Sequence, residues 1–173
     1  MALPRGIPAL LAGLGLLFTF GSARAEPKVV INRVALTPPQ AQALGQQLGA
    51  RLQPGRYWYD HLSGAWGFEG GPAQGLLPPG LPVPGQLWFA ASGGQTPVVV
   101  NGRALHPVDL QRLQQAGIPV RPGRFWLRSD GVGGLEGGPP SFNLRAMLAG
   151  AGGGRTRSGP FSTYDLTGAA VLP

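Results

Sequence analysis

The stretch VVINRVALTPPQAQAL at residues 29–44 returns as VVVNGRALHPVDLQRL at residues 98–113. Whatever backbone the first stretch adopts, the second is expected to adopt too. Further on, PGRYWYD (54–60) is answered by PGRFWLR (122–128), and SGAWGFEGGP (63–72) by DGVGGLEGGP (130–139). The offset falls from 69 to 68 to 67, so one single-residue gap precedes the Pro-Gly-Arg motif and another lies in the turn behind it. Across these 33 aligned positions 18 are identical, far more than chance gives even in a glycine-rich chain. The register continues weakly, Leu77 with Leu144 and Leu81 with Leu148. The chain is one unit written twice.

Each copy has the same local grammar. Val29–Ile31 and Val98–Val100 are β-branched runs suited to a half-buried strand. Asn101-Gly102 is a type I′ turn signal because both residues tolerate positive φ, and Asn32-Arg33 is its weaker counterpart. A helix start follows. Thr37 is a cap candidate with Pro38 behind it and Gln40 three residues on, a capping-box pattern. His106-Pro107-Val108-Asp109 is the analogue, with Asp109 near the positive end of the helix. Ala41, Leu44 and Leu48 share one helical face, as do Leu110 and Leu113, and Gly117 marks a helix end. The aromatic strands Tyr57–Tyr59 and Phe125–Leu127 then turn back through Ala65–Glu69 and Val132–Glu136 as β-hairpins.

These patterns predict an α+β fold: two copies of a strand–turn–helix–β-hairpin unit, rich in loops and packed about a pseudo-two-fold axis. Repeat unit 1 is expected over residues 26–72 and repeat unit 2 over 98–148. A Pro/Gly-rich linker (73–97) with one strand at Leu87–Ala90 joins them. A flexible Gly-rich C-terminal tail (149–173) follows.

Residues 1–25 have the three parts of a secretory signal: Arg5, an apolar run from Ile7 to Phe20, and the small-x-small site Ala23-Arg24-Ala25. The run is shorter than the roughly 20 residues that span a bilayer as a helix. Cleavage is therefore expected between Ala25 and Glu26, with a periplasmic or extracellular destination and no membrane span afterwards. The alternative is an uncleaved anchor. Beyond that site twelve basic residues face seven acidic ones, a net charge of +5. The bases are scattered and accompany no nucleic-acid-binding motif, so nucleic acid is not an expected partner. With no cysteine, disulfides, thiolate metal sites and cysteine nucleophiles are excluded.

Comparing the copies separates candidates for chemistry from candidates for the fold. Trp58/Trp126, Arg56/Arg124 and Glu69/Glu136 are matched. The tryptophans suit a hydrophobic core, or else a sugar-stacking platform. Arg and Glu suit cross-strand ion pairs. Were Glu69 and Glu136 to converge, they could serve as paired carboxylates of a glycan-active hydrolase. Tyr59, Asp60, His61 and Trp66 have no counterparts. Two aromatics, an acid and an imidazole around one hairpin form a candidate ligand-contacting tip, and the alternative is an ordinary solvated turn. His61 and His106 are the only histidines and have no metal-ligand spacing; His106 suits a helix cap. No GxxxxGK[ST] phosphate loop is present. No cofactor or metal is expected.

Through GRYWYD, SGAWGFEGGP, VVVNGRALHPVDL and FNLRAML the chain resembles a group of uncharacterised bacterial exported proteins that carry an aromatic hairpin after a VNG-type strand. The resemblance covers residues 29–148 and implies no activity. Together these features predict an exported, non-enzymatic binding or structural module of the bacterial cell envelope, contacting glycan through an aromatic hairpin. The alternatives are the hydrolase and an accessory protein that binds another envelope protein.

Overall fold

The computed structural model describes residues 28–151. The expected export signal and most of the expected C-terminal tail lie outside the described residues. The chain folds into two five-stranded sheets, one from each copy. In the first copy β1 (Val29–Ile31) and β2 (Val34–Ala35) form a short hairpin. Helix α1 (Pro38–Leu48) crosses over to β3 (Gly55–Tyr59), which lies parallel to β1. Antiparallel β4 (Ala65–Phe68) and β5 (Ala73–Leu76) complete the order β2-β1-β3-β4-β5. The second copy repeats this with β6 (Val98–Val100), β7 (Arg103–Ala104), α2 (Pro107–Gln115), β8 (Gly123–Leu127), β9 (Val132–Leu135) and β10 (Phe142–Asn143). A further helix, α3 (Leu144–Ala151), follows β10.

The ladders agree residue for residue. Val29 faces Gly55 as Val98 faces Gly123, and Trp58 faces Gly67 as Trp126 faces Gly134. Two devices written in both copies enforce this. The turn asparagines Asn32 and Asn101 sit at φ 47° and 50°. The Asn32 amide donates to the Tyr59 carbonyl and accepts from the Tyr59 N–H, and Asn101 does the same with Leu127. One side chain thus supplies both bonds a neighbouring strand would supply. The second device explains the repeated Gly-Gly-Pro. The Trp58 Nε1–H donates to the Gly71 carbonyl and that of Trp126 to Gly138, each at 3.1 Å. The indole crosses the facing strand so closely that a Cβ at Gly67 would stand 2.7 Å from the Trp58 ring and 2.5 Å from the Pro72 oxygen.

The expected caps are present. Thr37 and Gln40 form the capping box, His106 Nδ1 accepts from the Val108 N–H, and Gly117 (φ 73°) follows the end of α2. The first core gathers Val29, Ile31, Leu36, Leu44 and Tyr59 with Leu81, and Leu77 and Val83 pack on it.

Four expectations change. The unit is not strand–turn–helix–hairpin alone, because β2 and β5, or β7 and β10, widen each hairpin into a sheet. The linker strand lies at Ala73–Leu76, where β4 offers an open edge, and not at Leu87–Ala90. There the chain turns: the Gly93 N–H bonds the Ala90 carbonyl, and Ala91 and Ser92 are buried. The linker is therefore part of the packed structure. The tail begins later than residue 149, because α3 continues to Ala151.

The fourth change concerns symmetry. A two-fold interface uses the same patch on both units. Here Trp58, Asp60 and Ala73 of the first unit meet Arg103, Asn101 and Asp109 of the second, and these are not equivalent positions. The units are stacked head to tail. Accordingly β7 is fully buried while its counterpart β2 is exposed.

Gly67→Ala drives a Cβ into the Trp58 ring and the Pro72 carbonyl, so a loss of about 1–3 kcal/mol is expected from overpacking. Gly71→Ala, whose Cβ would meet nothing closer than 3.5 Å, is expected to be near neutral. Urea unfolding of both variants checks the pair.

Candidate functional site

Of the four residues expected at a ligand-contacting tip, two are buried. Tyr59 is 2% exposed and Asp60 4%. The Tyr59 hydroxyl donates to the Pro78 carbonyl at 2.5 Å and accepts from the Leu81 N–H at 3.2 Å. Burial raises its pKa, and the Asp60 charge adds to this, so it remains a neutral donor. His61 is half-buried, lies edge-on to Tyr59 at 5.0 Å, and accepts from the Gly80 N–H through its carbonyl. Trp66 is half-buried against the first core. The Tyr59 side chain does bind a segment, but it is the chain's own, Pro78–Leu81. The second unit has Leu127 in place of Tyr59 and lacks that hydroxyl.

Trp66 has a packing explanation as well. It faces Gly75 across β4 and β5. In the second unit the pair is reversed: Gly133 faces Phe142, whose ring lies 2.4 Å from where a Gly133 Cβ would be. Each unit places one large ring at this point of the ladder, from opposite strands. Trp66 thus fills a packing position that Phe142 fills in the second unit.

Asp60 belongs to a buried polar cluster between the units. Its Oδ1 accepts from the Leu62 N–H at 2.9 Å, and its Oδ2 accepts from Ser63 Oγ at 2.5 Å and Asn101 Nδ2 at 2.6 Å. Beside it Arg103, 4% exposed, stacks on the Trp58 ring with its guanidinium carbon 4.0 Å from the centroid. Its Nη1 lies 3.5 Å from Asp109 Oδ2. Desolvation lowers the pKa of Arg103, opposed by the charges of Asp109 and Asp60. Asp109 accepts the Ala73 N–H on both oxygens, and Arg112 donates to the Ala73 carbonyl at 2.8 Å. Asp109 and Arg112 thus satisfy the two backbone groups that begin β5, as a further strand would.

The sequence expectations missed Arg103, Asp109 and Arg112. The signal was there: within a repeated frame they replace Val34, Gln40 and Ala43, and the charge of Arg103 complements that of Asp60, which Arg128 replaces in the second unit. Buried charge of both signs, new in one copy, marks an interface between the copies.

At the surface, Tyr57, Trp66 and Phe68 form an aromatic cluster with ring centroids 5.3–6.3 Å apart, and Phe68 is 39% exposed. Glu69 and Glu136 are each held by the arginine of their own hairpin, Arg56 and Arg124. A shallow depression beside the end of α1 is lined by Ala41, Gly45, Gly49, Arg51 and Leu52 and contains no acid or imidazole. Among the described residues no group of three or more His, Cys, Asp or Glu could hold a metal ion. No helix among them is long and apolar enough to cross a membrane.

The chain is similar to two plant proteins of *Arabidopsis thaliana*. It is 43% identical over 82 residues to extra-large guanine nucleotide-binding protein 1, and 35% identical over 83 residues to extra-large guanine nucleotide-binding protein 2. Each match takes in 47% of this chain, and the chain covers only 9% and 10% of the length of these relatives. No protein-family model and no solved structure matches.

Arg103→Met is expected to cost about 3 kcal/mol, because Asp60 and Asp109 stay buried and lose that cation, with only Arg112 left beside Asp109 at 3.5 Å. Adding Asp109→Asn should cost less than the sum of the two single changes, and a double-mutant cycle by chemical denaturation measures the difference. The exposed carboxyls behave differently. Hydrogen bonds from Arg124 and Arg128 hold Glu136 and Asp130 below the ordinary carboxylate range. Their folded pKa values are depressed, so their small contribution is present above the unfolded pKa and lost as pH falls through the folded one. In an NMR titration Arg124→Gln should return Glu136 to the ordinary range and leave Asp130 where it is.

Proposed function

We propose that this chain is an exported binding module of the bacterial cell envelope that contacts glycan through an aromatic hairpin face. The supporting observation is the cluster of Tyr57, Trp66 and Phe68. It stays at the surface while Asp60 and the Tyr59 hydroxyl of the same hairpin are engaged inside the fold. Asp60 is tied to Ser63 and Asn101, and the Tyr59 hydroxyl to Pro78 and Leu81. What remains for a ligand is ring surface, and sugars offer apolar ring faces to aromatic side chains. Export rests on the signal pattern of residues 1–25, and the bacterial envelope on the resemblance carried by the hairpin motifs.

The guanine nucleotide binding named for the plant relatives is not carried over. The matched stretches are a small part of those proteins, and this sequence has no GxxxxGK[ST] loop. The same observation supports a second reading. A unit that recurs as a small part of longer proteins suits an accessory role, holding one protein against another.

Retention of the 26–173 protein on insoluble peptidoglycan tests the first reading. Retention is expected, with about a tenfold loss for Phe68→Ala. Absence of retention, together with co-purification of one stoichiometric envelope protein, would favour the second. The Ala25–Glu26 cleavage is checked by the N-terminal sequence of the exported protein.

A further inference from the structure

Trp58 and Trp126 hold the same position in the two units and meet different surroundings. Trp58 is fully buried because Arg103 and the second unit cover its outer face. Trp126 is only half-buried. Both indoles are fixed alike, by the Nε1–H bond to a glycine carbonyl and by close passage over a facing glycine. Trp126 therefore offers a flat apolar face held in one orientation, which lowers the ordering cost of binding. In the first unit that face takes a planar group, the Arg103 guanidinium.

The rim around Trp126 defines what would fit. Side chains alternate along a strand, so Arg124, Trp126 and Arg128 lie on one face of β8 and its extension. Arg124 pairs with Glu136, and Arg128 pairs with Asp130 at 2.5 Å. All four side chains are more than half exposed. Two guanidinium groups and two carboxylates cancel in formal charge, so the rim favours neither a strong anion nor a strong cation. It does offer adjacent donors and acceptors. Arg128 in the place of Asp60 removes the carboxylate that faces Arg103 in the first unit, which disfavours a second arginine as occupant.

We propose that Trp126, flanked by the Arg124–Glu136 and Arg128–Asp130 pairs, is a saccharide subsite. The apolar face of a pyranose ring stacks on the indole. Its hydroxyls donate to Glu136 and Asp130 and accept from Arg124 and Arg128. This rests on the glycan reading above and assigns a contact to the second unit, apart from the Phe68 cluster.

The test titrates the 26–173 protein with chitotetraose and follows the four indole N–H resonances by NMR, assigned by single substitution. The expected result is a saturable shift of the Trp126 resonance with Trp58 unmoved. An Arg128→Ser/Asp130→Asn variant keeps an acceptor for the Val132 N–H that Asp130 holds at 3.0 Å, so its unfolding curve should change little while its affinity falls at least about fivefold, roughly 1 kcal/mol. Trp126→Ala should abolish binding, and the double variant carries the test if Trp126→Ala does not fold. No Trp126 shift in a protein that peptidoglycan retains would overturn the subsite and leave the proposed function standing. Neither shift nor retention would overturn both. A Trp126 shift with an arginine-containing tetrapeptide but not with the sugar would also overturn the subsite.

Discussion

The guanidinium of Arg103 lies between the Trp58 ring and the carboxylate of Asp109, and the arrangement of the two units depends on it. A buried arginine cannot shed its proton, so the surroundings must compensate its charge. Trp58 contributes the negative face of its ring, Asp109 a partner charge, and Asp60 a second carboxylate nearby. Trp58 and Asp60 come from the hairpin of the first unit and Asp109 from α2 of the second, and all must be in place together. The units therefore have one mutual orientation. The linker follows from it. To lead from β5 back to β6 it passes so close to the sheets that Cβ atoms at Gly93 and Gly94 would strike the backbones of Gly70 and Leu105.

Head-to-tail stacking of identical units has no natural end. Here divergence supplies one. The outward face of the first unit has Val34 and Gln40 where the second has Arg103 and Asp109, so it lacks the charges that join the pair. The outward face of the second unit has Pro140 at the position of Ala73. Proline has no N–H, so this edge lacks the donor that Asp109 satisfies in the first unit. Arg128 in place of Asp60 completes the change. The ends differ from the joint, as terminal repeats in stacked arrays do.

This division of labour bears on function. Residues of the types that perform catalysis are few, with two histidines, seven acids and no cysteine, and the acid, the tyrosine and the arginines nearest one another are engaged in joining the units and holding the linker. The surfaces left over are aromatic: the Phe68 cluster on the first unit and the Trp126 face on the second.

The sequence alone determined the duplication, the first strand, helix and hairpin of each unit, the helix caps, and the Arg–Glu pairs. Local rules govern these: turn preference at Asn101-Gly102, capping at Thr37, alternation along Tyr57–Tyr59. It also showed which residues differ between copies. It did not show why they differ. Tyr59, Asp60 and Trp66 look like a site when only their own hairpin is considered. Their partners are Pro78 and Leu81, Asn101, and the position where Phe142 stands in the other unit, all remote in sequence. The relation between the units was equally hidden. Pseudo-two-fold and head-to-tail packing bury the same apolar pattern, and hydrophobic burial has no direction. Only the placement of one buried charge against one ring and two carboxylates decides between them, and that placement exists only in the tertiary structure.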